Sequence, residues 1–378
     1  MRIAHVVRGR CNPESNSGID RMVYHLSRAQ AAAGHEVAIF SVTAKPSIPI
    51  EGVHVFTQPP SPWSLLPRRE LGDSVRAWKP DVTHLHSLYI PEHTALGRRL
   101  RGWQMPYVVT PHGGLAPHVL RSRPLLKRSY RALFERSYLN HAAFVHAVTE
   151  REDLQGHGVT APVIRAPNGV SVADLPASLD AGIIERRYPA ARGNRIFVAV
   201  GRLDPVLKGL DLLIQAFCAP SVAGRPLFLV LVGPDHRDGR AQLERLVRDA
   251  GAEDRVVFWG PALGDEKFDV LAAADIFVQA SRSEGISIAV LEALATAKPC
   301  LVSTAADPLG RIAARNAGLV TKPEVDELSA AIARYAEMSD EELRARGERG
   351  RDIVTAEFEW TTIAQTLLLG YTKYAVRQ

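Results

Sequence analysis

Short apolar runs alternate with segments of helical periodicity along the chain, and their order predicts a doubly wound α/β protein. Residues 3–7 read as a first strand, and a polar, glycine-containing loop over 8–17 leads to a helix from Gly18. That helix presents Met22, Leu26 and Ala29 on one face and ends at Ala33-Gly34. Residues 37–41, 80–86, 107–110, 144–148 and 163–165 continue as strands. After a linker over 171–194 the pattern restarts, with a strand at 196–200, an amphipathic helix at 210–217, and strands at 228–232, 256–260, 276–279 and 301–304. Helices over 327–335, 341–354 and 361–374 close the chain.

The stretch 281–299 organises the second half. From Gly285 to Ala297 it carries one formal charge, Glu292, among Ile286, Ile288, Val290, Leu291 and Leu294, so it reads as a helix buried almost all round. A carboxylate there needs a partner. Glu284 stands just before Gly285, Ile286 and Ser287, where the helix opens and its first N–H groups form a site for an anion such as phosphate. A phosphate-sized site with an acid outside it and another two turns inside suits a nucleotide sugar. The ordinary alternative is that Glu292 neutralises a neighbouring arginine while Glu284 is a solvated loop acid.

Two other loops carry chemistry. The strand at 196–200 runs into Gly201-Arg202, with Lys208-Gly209 following, which places two fixed cations at a strand-to-helix turn where a diphosphate can collect both. Otherwise this is an exposed loop with routine basic residues. The strand at 107–110 ends in Pro111-His112-Gly113-Gly114, so His112 can face a ligand at a carboxyl strand end, or simply bond a turn carbonyl. His84 and His86 flank a strand and read as structural.

A chain of 378 residues suffices for about two domains. The three cysteines lie far apart, which points away from disulfides or a thiolate zinc site and toward a reduced, cytoplasmic compartment. The start is too short for a signal peptide, and no uncharged run reaches the roughly 20 residues of a spanning helix. Charge is uneven: 21 Lys and Arg face 12 Asp and Glu in residues 1–170, against 25 and 29 in the rest. No zinc spacing or aromatic RNA-binding run supports nucleic acid as the partner of the basic half. The region 121–139 is a helix rich in Arg and Lys with Leu125, Leu126, Leu133 and Phe134 among them. Its apolar face either packs on the sheet or lies on an anionic membrane, at the inner face.

Glu284 and Glu292, separated by seven residues, resemble the E-x7-E motif of retaining glycosyltransferases of family 4, which have the GT-B fold. Gly201, Arg202, Lys208 and Gly209 match that family's G-R-x5-K-G, Pro167-Asn168-Gly169-Val170 matches a turn closing the first domain, and residues 316–320 resemble a late turn and strand. Ser17-Gly18 stands where a Gly-Gly pair is usual. The resemblance implies two Rossmann-like domains facing a cleft, residues 1–175 with 361–378 crossing back, and 176–360 for the nucleotide sugar. By the same resemblance Arg202 and Lys208 grip the diphosphate, Glu284 binds donor-sugar hydroxyls, Glu292 holds the ribose, His112 and Gly18 approach the donor, and the backbone around Gly260 meets the base. It also implies transfer with retention from a UDP- or GDP-linked sugar to a glycan, lipid-linked or small-molecule acceptor. No D-x-D motif is present, so no metal or other cofactor is expected, and the departing phosphate serves as base. An epimerase or phosphorylase on the same fold, or a non-catalytic anion or nucleic-acid binder, is the alternative.

Overall fold

The computed structural model describes the chain except residues 14–16, 46–47, 61–68, 122, 150–151, 285 and 376–378 and the side chains of 117 and 118. Two compact units emerge: Met1–Gly169 with Trp360–Gln378, and Val170–Glu359.

The first unit is built on strands β1 (Arg2–Val7), β2 (Glu36–Val42), β3 (Val53–Gln58), β4 (Val82–His86), β5 (Tyr107–Thr110), β6 (Phe144–Ala147) and β7 (Val163–Arg165). All pair in parallel in the order β3-β2-β1-β4-β5-β6-β7, so chain order reverses between β1 and β4. Edge strand β3 and the following helix Arg69–Trp78 lie outside the expected elements. Only Val53, Val55 and Gln58 of β3 are partly covered, and Phe56 is exposed while stacking on Phe40, so no apolar run marks it. The last helix, Trp360–Tyr374, returns to this unit. Ile363, Leu367 and Tyr371 are buried against Ile3, Val82 and Phe144, at roughly 1.5–3 kcal/mol for each large apolar side chain enclosed.

The second unit repeats the scheme with β8 (Arg195–Val200), β9 (Leu227–Val232), β10 (Val256–Gly260), β11 (Ile276–Gln279), β12 (Cys300–Ser303) and β13 (Gly318–Thr321). The parallel order is β10-β9-β8-β11-β12-β13, which turns at β8 and β11. The expected linker over 171–194 is part of this unit's core. Helix Ile183–Arg187 buries Ile184 against the cluster of Phe228, Val230 and Trp259.

The helical region after Pro124 also departs from expectation. It runs as Pro124–Tyr130, a π-helical turn Arg131–Glu135 and Arg136–Asn140, and Pro124–Tyr130 buries no residue. Leu125, Leu126 and Leu133 are 80%, 62% and 69% exposed, so the apolar face does not pack on the sheet. Lys127 folds back, donating to the Val119 carbonyl at 2.6 Å.

Histidines fill the interior of the first unit. His5, His84, His86, His93 and His146 are buried. Burial takes His5, His93 and His146 down to about 4 and His112 to about 3, and keeps His84 and His86 well below the ordinary imidazole value. The unfolded chain keeps values near 6.5, so this stabilisation is complete above about pH 6.5. It is lost as pH falls toward the folded values, at about 1.4 kcal/mol per ring per pH unit. Glu135 opposes this: burial raises it to about 8, so its contribution is lost as pH rises from the carboxylate range toward 8. Burial also raises Glu152 and Asp275, and these three acids do not offset the six rings. The free energy of unfolding should therefore fall steeply between pH 6.5 and 4.5 with uptake of several protons; a flat profile in denaturant titrations would show the rings to be solvated.

Candidate functional site

In the second unit the two strands at which order turns send their carboxyl-end loops side by side, the place where open α/β sheets hold ligands. The first loop, 201–209, ends at Gly209, left-handed at φ +64° and seated where a Cβ would collide with the Ala280 carbonyl oxygen. Arg282 then fastens one loop to the other. Its backbone N donates to Leu207 O at 3.0 Å, and its guanidinium donates to the Val206 carbonyl at 2.7 Å and to the Asp211 carboxylate at 2.7 and 2.8 Å.

Lys208 is thereby held 2.6 Å from Glu284 Oε2, both side chains mostly buried. The same oxygen accepts from Gln279 Nε2 at 2.8 Å and Ser281 Oγ at 3.1 Å. Among the described residues no bond reaches Glu284 Oε1, and the exposed Arg202 guanidinium makes no hydrogen bond or ion pair. A small pocket opens between Gly201, Arg202, Lys208, Val232, Val278 and Gln279.

The buried helix is Ile288–Ala295, shorter than the stretch 285–297 suggested. Ser287 precedes it, but its hydroxyl donates to Gln279 Oε1 at 2.8 Å, so no side chain caps the first N–H groups. Ala297, at φ +54°, lies beyond its end. Gly285 lies outside the described residues; Ile286 and Ser287 lead into the first turn. Glu292 is buried and accepts from Lys267 Nζ at 2.7 Å, so its cation is a lysine from the preceding helix rather than an arginine. Gly260 ends β10 at φ +96°, its carbonyl accepting from Gly233 N at 2.8 Å.

In the first unit, Gly18 begins helix Gly18–Ala32, and Ser17 caps it by accepting from Asp20 N at 3.4 Å. Gly9 in the same loop sits so close to the Asp20 carboxylate that a Cβ would meet it. His112 takes φ +50°, a conformation rare outside glycine, and its Nε2 lies 3.0 Å from His86 Nδ1. Ring nitrogens of His5, His84 and His86 lie within 4.8 Å of one another, yet each already has a hydrogen-bond partner, so the cluster is a closed polar network rather than an open ligand set.

Lys208 and Glu284 are thus brought together, Glu292 forms a separate pair with Lys267, and Arg202 stands unbonded. The sequence reading missed Gln279, Arg282 with Asp211, and Lys267. Gln279 was signalled as the one polar residue closing an apolar strand; the others carry no local signal.

Residues 194–338 match a family model described as glycosyl transferases group 1, and residues 16–174 one described as glycosyltransferase family 4. The MMP alpha-(1->4)-mannosyltransferase of Mycolicibacterium hassiacum is 31% identical over 207 residues, 54% of this chain and 48% of that protein. A GDP-mannose-dependent alpha-(1-6)-phosphatidylinositol monomannoside mannosyltransferase of Mycobacterium tuberculosis is 30% identical over 238 residues, 59% of each chain. The matched parts span about half the length of these curated relatives. Among solved structures, the sucrose-phosphate synthase of Thermosynechococcus elongatus superposes with a TM-score of 0.74 at 23% identity, covering 98% of both chains, a likeness of fold.

The seat of Gly209 can be tested by comparison with Gly251, which has a similar φ of +60° but open space around it. Gly251→Ala should cost about 1 kcal/mol, the strain alone. Gly209→Ala should cost clearly more, since the Ala280 carbonyl must move; equal losses of thermal midpoint would refute the close approach as the reason for glycine.

Proposed function

We propose, for a chain that belongs to family 4 of the group 1 glycosyltransferases, transfer of a sugar from a UDP- or GDP-linked donor to an acceptor hydroxyl with retention of anomeric configuration. The observation that carries this reading is the Lys208–Glu284 pair set beside the unbonded Arg202 and an uncapped helix start. An ammonium has three donors, and Glu284 takes one, so Lys208 keeps two for phosphate oxygens. Arg202 offers a bidentate fork beside it. These groups and the helix N–H donors would stabilise the charge that develops on the diphosphate as the bond to the anomeric carbon breaks.

Glu284 has one oxygen committed to three internal donors, which orients the other toward sugar hydroxyls. Glu292 would hold the ribose hydroxyls and the backbone at Gly260 the base. Within the first unit, His112 and the loop before Gly18 are the groups offered to the donor. The acceptor oxygen bonds to the anomeric carbon on the face the phosphate leaves, and its proton passes to a departing phosphate oxygen. No metal is required in this scheme. The acceptor would be a glycan, a lipid-linked saccharide or a small polyol, and relatives named for GDP-mannose and for a phosphatidylinositol mannoside favour a mannosyl donor.

The exposed Leu125, Leu126 and Leu133, flanked by Arg121, Arg123 and Arg128, support a peripheral seat on an anionic lipid surface. Among the described residues no helix is long and apolar enough to cross a membrane.

Titration calorimetry with UDP and GDP should show affinity for one of them reduced tenfold or more in both Arg202→Ala and Lys208→Ala; unchanged binding in both removes the diphosphate assignment. Glu284→Gln should depress transfer far more than nucleotide binding, and turnover in EDTA should persist. Sedimentation with vesicles containing anionic lipid should fall when Leu125, Leu126 and Leu133 are replaced by serine, and an identical bound fraction would dismiss the lipid seat.

A further inference from the structure

The buried histidines form one continuous chain of hydrogen bonds, and its direction can be worked out from one end. His146 Nε2 lies 2.7 Å from the Ala166 carbonyl, which only accepts, so that nitrogen carries the proton. His146 Nδ1 therefore accepts, from the Thr110 hydroxyl at 2.9 Å. With its single proton so placed, Thr110 Oγ1 must accept from His84 Nε2 at 2.6 Å, and His84 Nδ1 accepts in turn from the Tyr371 hydroxyl at 2.6 Å. Tyr371 oxygen is left to accept from Gln30 Nε2, at 3.4 Å the longest link. Gln30 Oε1 then accepts from His5 Nε2 at 2.7 Å, His5 Nδ1 from His86 Nε2 at 3.0 Å, and His86 Nδ1 from His112 Nε2 at 3.0 Å. The derived direction demands that the Gln30 oxygen face His5 and its amide face Tyr371, and the side chain is oriented that way.

We propose that this chain fixes the tautomer of His112, holding Nε2 protonated toward His86 and leaving Nδ1 a bare acceptor, with Thr110 and Tyr371 as the positioning residues that transmit the direction. Neutral rings are what the chain requires, and burial keeps His5 and His146 neutral at ordinary pH. Among the described residues no bond reaches His112 Nδ1. An acceptor there welcomes a hydroxyl and repels a phosphate oxygen; that consequence rests on the donor-sugar reading, whereas the tautomer does not.

Removing the Thr110 hydroxyl should reverse the whole row. His84 Nε2–H would lose its acceptor, and the ring regains full pairing only by moving its proton to Nδ1 and donating to Tyr371. Each following group then turns over, Gln30 by rotating its amide so that its nitrogen faces His5, and His112 ends protonated at Nδ1. The measurement is a long-range proton–nitrogen correlation spectrum of the full-length protein labelled with 15N-histidine at neutral pH, with the His112 signals assigned by their loss in His112→Gln. Wild type should show His112 protonated at Nε2 only, Thr110→Val at Nδ1, and Thr110→Ser should restore the wild-type pattern. Tyr371→Phe cuts the row and should leave His112 as a mixture. A wild-type His112 protonated at Nδ1 or doubly protonated overturns the proposal, as does an unchanged His112 in Thr110→Val; if that variant does not fold, a pure wild-type tautomer in Tyr371→Phe does the same. Correct tautomers in a protein that binds no sugar nucleotide would sink the functional reading and leave this one standing.

Discussion

The second unit depends on how closely two loops can approach. Gly209 lets the loop after β8 rest on the Ala280 carbonyl, and Arg282 then bonds both the backbone and the Asp211 carboxylate of that neighbour. Only with this spacing does Lys208 reach Glu284. The pair itself contributes little net stability, because the cost of taking two charges out of water largely cancels their attraction. Its value is positional: a mostly buried ammonium with one donor committed has few rotamers left, and whatever anion enters meets a charge that needs no reorganisation.

Much of this was legible in the chain. Parallel strands buried on both faces write themselves as apolar runs, so β1, β8, β9 and β11 stood out, and with them the loops at their carboxyl ends. The polar residues in those loops, Arg202, Lys208, Glu284 and His112, stood out because they interrupt that pattern. What stayed hidden falls into two kinds. Strand β3 lies at a sheet edge with neither face fully covered, so it shows no continuous apolar run. Partners such as Lys267 for Glu292 come from elements far along the chain, and nothing local specifies which cation the fold will bring to a buried acid.

The segment over 171–194 and the helix after Pro124 teach the same lesson from opposite sides. Scattered charged, Gly and Pro residues give 171–194 the look of a spacer, yet Ile184 and Ala191 are fully buried and anchor it in the core. The residues after Pro124 have the spacing of an ordinary amphipathic helix, and Leu125, Leu126 and Leu133 face outward. Periodicity reports that a helix has an apolar face; it does not report what that face meets.

The return of Trp360–Tyr374 to the first sheet has a consequence for biosynthesis. Ile3, Val82 and Phe144 are made well before helix Trp360–Tyr374, which completes their cover. Throughout synthesis of the intervening unit the face they line has Met22 and Leu26 against it but lacks the rest of its cover. The second unit, whose residues are contiguous, can finish before the first, whose closing helix is translated after it.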